Sequence, residues 1–162
     1  MTQTLLMMAT CVSLSVAVAA EVGPPTNLPV AARGAGRIVV AKVADVHARF
    51  ASNKFGDQLI VSSARLEVVE TLKGAPTTQV ALEIEGGTVG DLTLRVSDLP
   101  LLQTGDRAVF FLDASGDGPM APHGRGRGIL RLLADDRVEG ADLLNLTEVR
   151  RQVRAALGQG AR

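Results

Sequence analysis

From Arg37 onward, apolar and polar positions alternate with the two-residue period of half-buried strands. The β-branched run Ile38-Val39-Val40-Ala41-Lys42-Val43 opens the pattern, with Val39, Ala41 and Val43 on one face, and continues to about Phe50. Val46 breaks that phase, which predicts a bulge near Asp45. Ala51 to Asp57 is polar and reads as a turn. In the long second strand, Ile60, Ala64, Leu66 and Val68 share a face, while Ser63, Arg65, Glu67 and Val69 face the other way. Lys73-Gly74-Ala75-Pro76 stops it. Val80, Leu82 and Ile84 then alternate with Gln79, Ala81, Glu83 and Glu85. After the glycine-rich connection from Gly86 to Gly90, Leu92, Leu94 and Val96 alternate with Thr93, Arg95 and Ser97. Pro100 to Asp106 connects to the wholly apolar strand Ala108 to Leu112, which holds Phe110 and Phe111. Ser115 to Gly128 reads as loop and Ile129 to Leu133 as a sixth strand.

The period changes near the C-terminus. Val149, Val153, Ala156 and Leu157 fall on one helical face, Arg150, Arg151 and Arg154 lie off it, and Gly158 is a natural stop. Thr147 is the expected N-cap, giving a helix over about 147–157. Five or six short strands with glycine turns, then one helix, predict a mainly β fold. The expected form is a small OB-like barrel or sandwich of five to six strands with a C-terminal helix. Residues 37–157 would form this single domain and 158–162 a tail.

Upstream of it, residues 21–36 carry Pro24, Pro25 and Pro29 with several glycines, and read as a linker or extended arm. Leu5 to Ala20 contains no charged residue, is slightly short for a membrane span, and fits the apolar part of a secretory signal peptide over residues 1–20. Ala17-Val18-Ala19 has the small-x-small form of a cleavage site, and Val18-Ala19-Ala20 is nearly as good, so cleavage is expected near Ala19 to Ala20. The absence of Lys and Arg from Met1 to Thr4 departs from the signal-peptide pattern. The alternative is a buried or membrane-anchoring helix. Export implies a secreted or periplasmic protein with no stable membrane insertion after cleavage.

Composition narrows the chemistry. Hydrophobic residues make up 46% of the chain but aromatic residues only 2%, all Phe, so Val, Leu, Ile and Ala must build the core. The 17 basic and 17 acidic residues cancel, which gives no electrostatic reason to expect nucleic acid or an anionic membrane as partner. The one cysteine, Cys11, lies inside the predicted signal peptide. The processed domain would therefore hold no disulfide, thiolate metal site or cysteine nucleophile.

Several segments together carry a resemblance: the first apolar strand at Val39 to Lys42, Leu66-Glu67-Val68-Val69-Glu70-Thr71-Leu72-Lys73-Gly74, Gly86-Gly87-Thr88-Val89-Gly90, and Pro100 to Asp106 running into Phe110-Phe111-Leu112. Over roughly Arg37 to Leu133 the chain resembles small secreted bacterial proteins of unknown function. More distantly, the strand ending in Lys73-Gly74 and the later glycine-then-Phe-Leu strand are similar to the netrin-like OB domain, the fold group of the tissue inhibitors of metalloproteinases. The resemblance implies a fold and not an activity. That inhibitory chemistry needs an N-terminal cysteine to chelate zinc, and the processed chain has none.

Candidate sites are weak when taken one by one. Asp113, Ser115, Asp117 and Gly118 match the start of a calcium loop, but Gly124 stands where the closing carboxylate belongs. His47 and His123 are far apart and show no metal-ligand spacing, so no metal is expected. Ser62, Ser63, Ser97 and Ser115 lack the nucleophile-elbow glycines. Glu67, Glu70, Glu83 and Glu85 are the acids a hydrolase would draw on, but they lie on strand faces turned to solvent. Gly86 to Gly90 lacks the Gly-Lys-Ser/Thr ending of a phosphate loop and reads as a turn. His123-Gly124-Arg125-Gly126-Arg127-Gly128 is the most basic run and reads as a mobile hairpin loop. No catalytic, cofactor or metal residue is assigned. The expectation is an exported, non-enzymatic binding or accessory module for a protein or glycan partner. The alternatives are a carboxylate-based hydrolase or lyase of the cell envelope and a structural envelope protein.

Overall fold

A computed structural model describes residues 27–52 and 55–158 of the chain. The predicted signal peptide, residues 21–26 and the tail beyond Gly158 lie outside the described residues. The described chain is mainly β, with antiparallel strand pairing and a C-terminal helix, as the alternation predicted.

β1 (Arg37–Ser52) and β2 (Gln58–Lys73) form a long antiparallel hairpin. β2 pairs next with β3 (Gln79–Glu85), and β1 pairs on its other side with β6 (Arg107–Asp113). β6 in turn pairs with β7 (Ala121–Pro122) and with β8 (Ile129–Arg131). The strand order is β3-β2-β1-β6-β7, with β8 on β6. The two ends of this sheet approach each other. Leu82 of β3 forms a parallel bridge with Met120, and Met120 N–H donates to Ala81 O while Glu83 N–H donates to Met120 O. Among the described residues that bridge is the strand pairing between the sheet's two ends, and the strand ladder itself does not close into a barrel.

β6 and the first part of β1, from Ile38 to Val43, bury residues on both faces, which explains why β6 reads as continuously apolar. Val39, Ala41, Val43, Ala108, Phe110 and Leu112 turn into the curl of the sheet, where they meet Ala64, Leu66, Val80, Leu82 and Ile84. Ile38, Val40, Val109 and Phe111 turn the other way and pack under two helices. Two fully buried phenylalanines, adjacent in sequence, thus anchor two separate cores. The ladder shifts register between Val43 and Asp45, the bulge that the phase of Val46 required.

One of those helices corrects the sequence reading of a linker over 21–36 for its described part, residues 27–36. α1 (Leu28–Gly34) starts where Asn27 Oδ1 accepts the Val30 N–H, with Pro29 in the first turn, where a missing N–H costs nothing. Leu28, Ala32 and Ala35 are buried in the outer core, so this segment belongs to the domain. The prolines and glycines signalled an arm because the apolar positions between them are too few to show a helical period. The second helix, α2 (Leu146–Ala156), presents Val149 and Val153 to the same core, with Ala156 and Leu157 half-buried beside them. Its cap is Asn145, whose Oδ1 accepts the Glu148 N–H 2.9 Å away; Thr147, the expected cap, lies inside the helix.

Short hairpins complete the chain. β4 (Gly87–Val89) and β5 (Leu92–Leu94) pair only with each other, so the alternation through Val96 gives a three-residue strand, half-exposed at best. β9 (Arg137–Val138) and β10 (Ala141–Asn145) lead into α2. Gly87 lies where the β4–β5 hairpin crosses the β1–β2 arm. Its φ is +138°, and a Cβ there would fall 2.4 Å from Ser62 Oγ and 2.9 Å from the Ala48 Cβ. Only glycine allows this approach.

Candidate functional site

The acids singled out in the sequence are held apart, each by its own arginine. Glu83 Oε2 accepts from Arg49 at 2.7 Å and from Ser63 Oγ at 3.3 Å. Glu85 and Asp98 both accept from Arg125, at 3.0 and 2.5 Å. The Arg125 hydrogen bond holds the Asp98 carboxyl below its ordinary value, and the same pairings raise the Arg125 guanidinium. Glu70 of β2 accepts from Arg150 at 2.7 Å and from Arg154 at 3.4 Å, tying α2 to the sheet. Glu67 lies 3.8 Å from Arg65. None of these arrangements sets two free carboxylates across a cleft, as glycoside hydrolysis requires.

The calcium-loop match dissolves for a geometric reason. Asp113, its first position, is already occupied: Oδ1 accepts the Gly36 N–H at 3.0 Å and Oδ2 lies 2.7 Å from His123 Nδ1. His47 sits on β1 with Nε2 2.8 Å from Asp45 Oδ2. The two histidines stay in separate pairs, and no group of three or more metal-ligating side chains occurs among the described residues. Ser62 Oγ is buried and donates to Gly86 O at 2.7 Å. The basic run at His123 folds into a short helical turn. Residues Arg125–Gly128 form a 3-10 turn, which Arg125 clamps to Asp98 and Glu85 and the Gly126 N–H to Asp98 O.

Sequence reasoning missed two features. The first is Lys73, at the end of β2. Its ammonium donates to the carbonyls of Ala32, Arg33 and Ala35 at 3.0, 2.8 and 2.5 Å, closing the C-terminal end of α1. The second is a groove of about 470 Å³ where the sheet's ends diverge from the Leu82–Met120 bridge. Arg37, Thr77, the β3 residues Gln79, Val80 and Ala81, and the loop from Asp117 to Met120 line it. Arg37 Nη1 also donates to Ala75 O at 2.7 Å, which fixes one wall.

The backbone of β3 explains what the groove offers. Gly86 N–H donates to Ile60 O and Val68 N–H to Thr78 O, so the even residues of β2 turn their main-chain groups towards β3. The partners of these even residues on β3 turn back to meet them, and the odd residues Gln79, Ala81 and Glu83 turn theirs outward. Met120 uses Ala81 O and Glu83 N. Upstream of the bridge no strand lies against β3 on this side among the described residues, so the Ala81 N–H faces the groove. The signal for this in the sequence was slight: Pro119 before Met120 limits how far that segment can pair with β3. Compared with known protein families and with curated proteins, the chain matches none.

Proposed function

We propose that this chain is an exported, non-enzymatic binding module of OB-like type, and that the groove beside β3 receives an extended segment of a partner polypeptide. The observation that carries the reading is the Ala81 N–H, which faces a groove large enough for a peptide strand, while the neighbouring Gln79 N–H and C=O are held only by the Thr77 hydroxyl. An edge of this kind recognises main chain by β-augmentation, with neighbouring pockets selecting side chains. A peptide strand pairing with Ala81 would extend along β3 by displacing the Thr77 hydroxyl from the Gln79 N–H and C=O. The opposite charges of Arg37 and Asp117 would orient the segment.

Support for the OB-like class comes from connectivity. With Met120 taken as the start of the last strand, the neighbours run β1-β2-β3-β7-β6 and back to β1, with the β3–Met120 contact parallel. That is the cyclic order of a partly open five-strand Greek-key barrel. The non-enzymatic reading rests on the arginine partners of Glu70, Glu83 and Glu85. Export rests on the uncharged stretch Leu5 to Ala20.

The test is selection of extended peptides from a displayed random library, with their affinity remeasured on Ala81→Pro. Proline removes the one outward N–H, and Ala81 is exposed, so the fold should persist and thermal melting should confirm it. Binding should weaken about tenfold, the loss expected of one main-chain hydrogen bond. Peptides that ignore the substitution, or ligands that prove to be glycans, would refute the groove assignment. N-terminal sequencing of the chain from an expressing bacterium tests export: a start at Ala20 or Glu21 supports it and an intact Met1 opposes it.

A further inference from the structure

We infer that the outer edge of the β1–β2 arm pairs with the same edge of a second copy of this chain, giving a two-fold dimer. β6 covers β1 only from Arg37 to Lys42, and Gly105 and Asp106 extend the contact to Val43. Beyond the bulge, from Ala44 to Ser52, β1 pairs with β2 alone, and its other edge meets no strand among the described residues. The direction of its main chain follows from the ladder. Asp45, His47 and Arg49 are opposite the odd residues Arg65, Ser63 and Val61, which turn their groups towards β1. Val46, Ala48 and Phe50 therefore turn their N–H and C=O groups to the open side. An edge of this length is a template for another strand unless something covers it.

The side chains select the occupant. Asp45, His47 and Arg49 share the outer face of the arm, with His47 80% and Arg49 57% exposed. Antiparallel pairing about a two-fold axis at His47 sets Asp45 against Arg49 of the second copy, and does so twice. Val46 then meets Ala48, and Phe50 meets Ala44. The charge order, acidic before the axis and basic after it, is complementary to its own reverse, which an edge built for an unrelated strand has no reason to be. The groups retain capacity for the added contacts. Arg49 uses Nη2 on Glu83, and Asp45 uses Oδ2 on His47, leaving further guanidinium donors and a second carboxylate oxygen. Phe50, 49% exposed, would lose part of its water contact. An isologous contact of this kind closes on itself and stops at two copies. A single pair of edges buries less than a standard interface, so the dissociation constant should fall in the micromolar range.

The experiment is sedimentation equilibrium on the full-length chain as purified, up to about 100 µM. Wild type should show a reversible monomer–dimer equilibrium. Asp45→Arg and Arg49→Asp should each sediment as monomer, with dissociation constants raised about tenfold or more. An equimolar mixture of the two variants should dimerise again, because each then meets its opposite charge. Thermal melts of both variants show that they fold, and Lys42→Glu, at an exposed position outside the pairing, leaves the equilibrium unchanged. A wild-type chain that stays monomeric, or a mixture of the variants that stays monomeric while both are folded, overturns the inference.

Discussion

Replacing Lys73 by Met keeps the length and apolar stem of the side chain and removes its three N–H donors. In the native structure those donors are fully used, one on each of the Ala32, Arg33 and Ala35 carbonyls. They are the acceptors that the end of a helix leaves unsatisfied, and the ammonium also meets the negative end of the helix dipole. α1 has seven residues and cannot persist in isolation, so it depends on this clamp and on the burial of Leu28, Ala32 and Ala35. A hydrogen bond to a charged group contributes about 1.5–3 kcal/mol where water is excluded. Here the Arg33 contact is exposed and the other two are part-buried, so water recovers much of the loss. The expected cost of Lys73→Met is therefore about 2–3 kcal/mol.

For a domain of this size that cost lowers Tm by about 10 °C. Urea denaturation of wild type and Lys73→Met measures it directly, and amide exchange locates it. Protection should fall first in Ala31 to Ala35, while amides of β6 follow the global change. Lys73→Arg makes the argument specific. Its planar fork cannot converge on three carbonyls as the ammonium does, so it should recover part of the stability and not all of it. A loss below about 0.5 kcal/mol, or unchanged exchange in α1, would show that apolar burial alone holds the helix.

Gly87→Ala should cost about 3 kcal/mol in chemical denaturation, because φ is +138° and the new methyl meets Ser62 and Ala48. Gly90→Ala, at φ +58° with open space around it, should cost only about 1 kcal/mol; equal costs would refute the close-approach argument. Hydrogen bonds from Arg151 and then Gln152 lower the Glu148 carboxyl from 4.5 to about 2. Because the folded value is depressed, its contribution is present above pH 4.5 and is lost as the pH falls towards 2. Glu148→Gln should flatten that part of the acid-unfolding curve of α2, followed by circular dichroism, and an unchanged curve would sink the assignment.

What could be read along the chain was whatever repeats within a single element. Val39, Ala41 and Val43 announced the inner face of β1, Val80, Leu82 and Ile84 that of β3, and the slip at Val46 announced the bulge. Val149 and Val153 gave the helical face of α2 in the same way. Each of these signals is carried by burial against one side, which imposes a period. α1 failed the same test because only Leu28 and Ala32 within it are buried, too few to define a period. Leu92, Leu94 and Val96 erred in the other direction. They alternate, yet Leu92 is 62% exposed, since no third strand joins β4 and β5 to give them a face to cover.

The candidate surfaces were illegible for a different reason: both are defined by pairing that stops. β3 and β1 have regular sequences along their whole length, and nothing local marks Ala81 or Val46 as the point where a neighbour is missing. That depends on where Met120 and Gly105 arrive from segments more than thirty positions away along the chain. The side chains nevertheless leave a trace once the edge is known. Asp45, His47 and Arg49 place charge on the exposed edge strand, a common protection against indiscriminate pairing. The same charges that repel a strand in most registers favour one register, about His47, and one partner able to supply the reverse order. Protection and selectivity are then a single property of these three residues, which is why exchanging Asp45 and Arg49 between two chains bears on both at once.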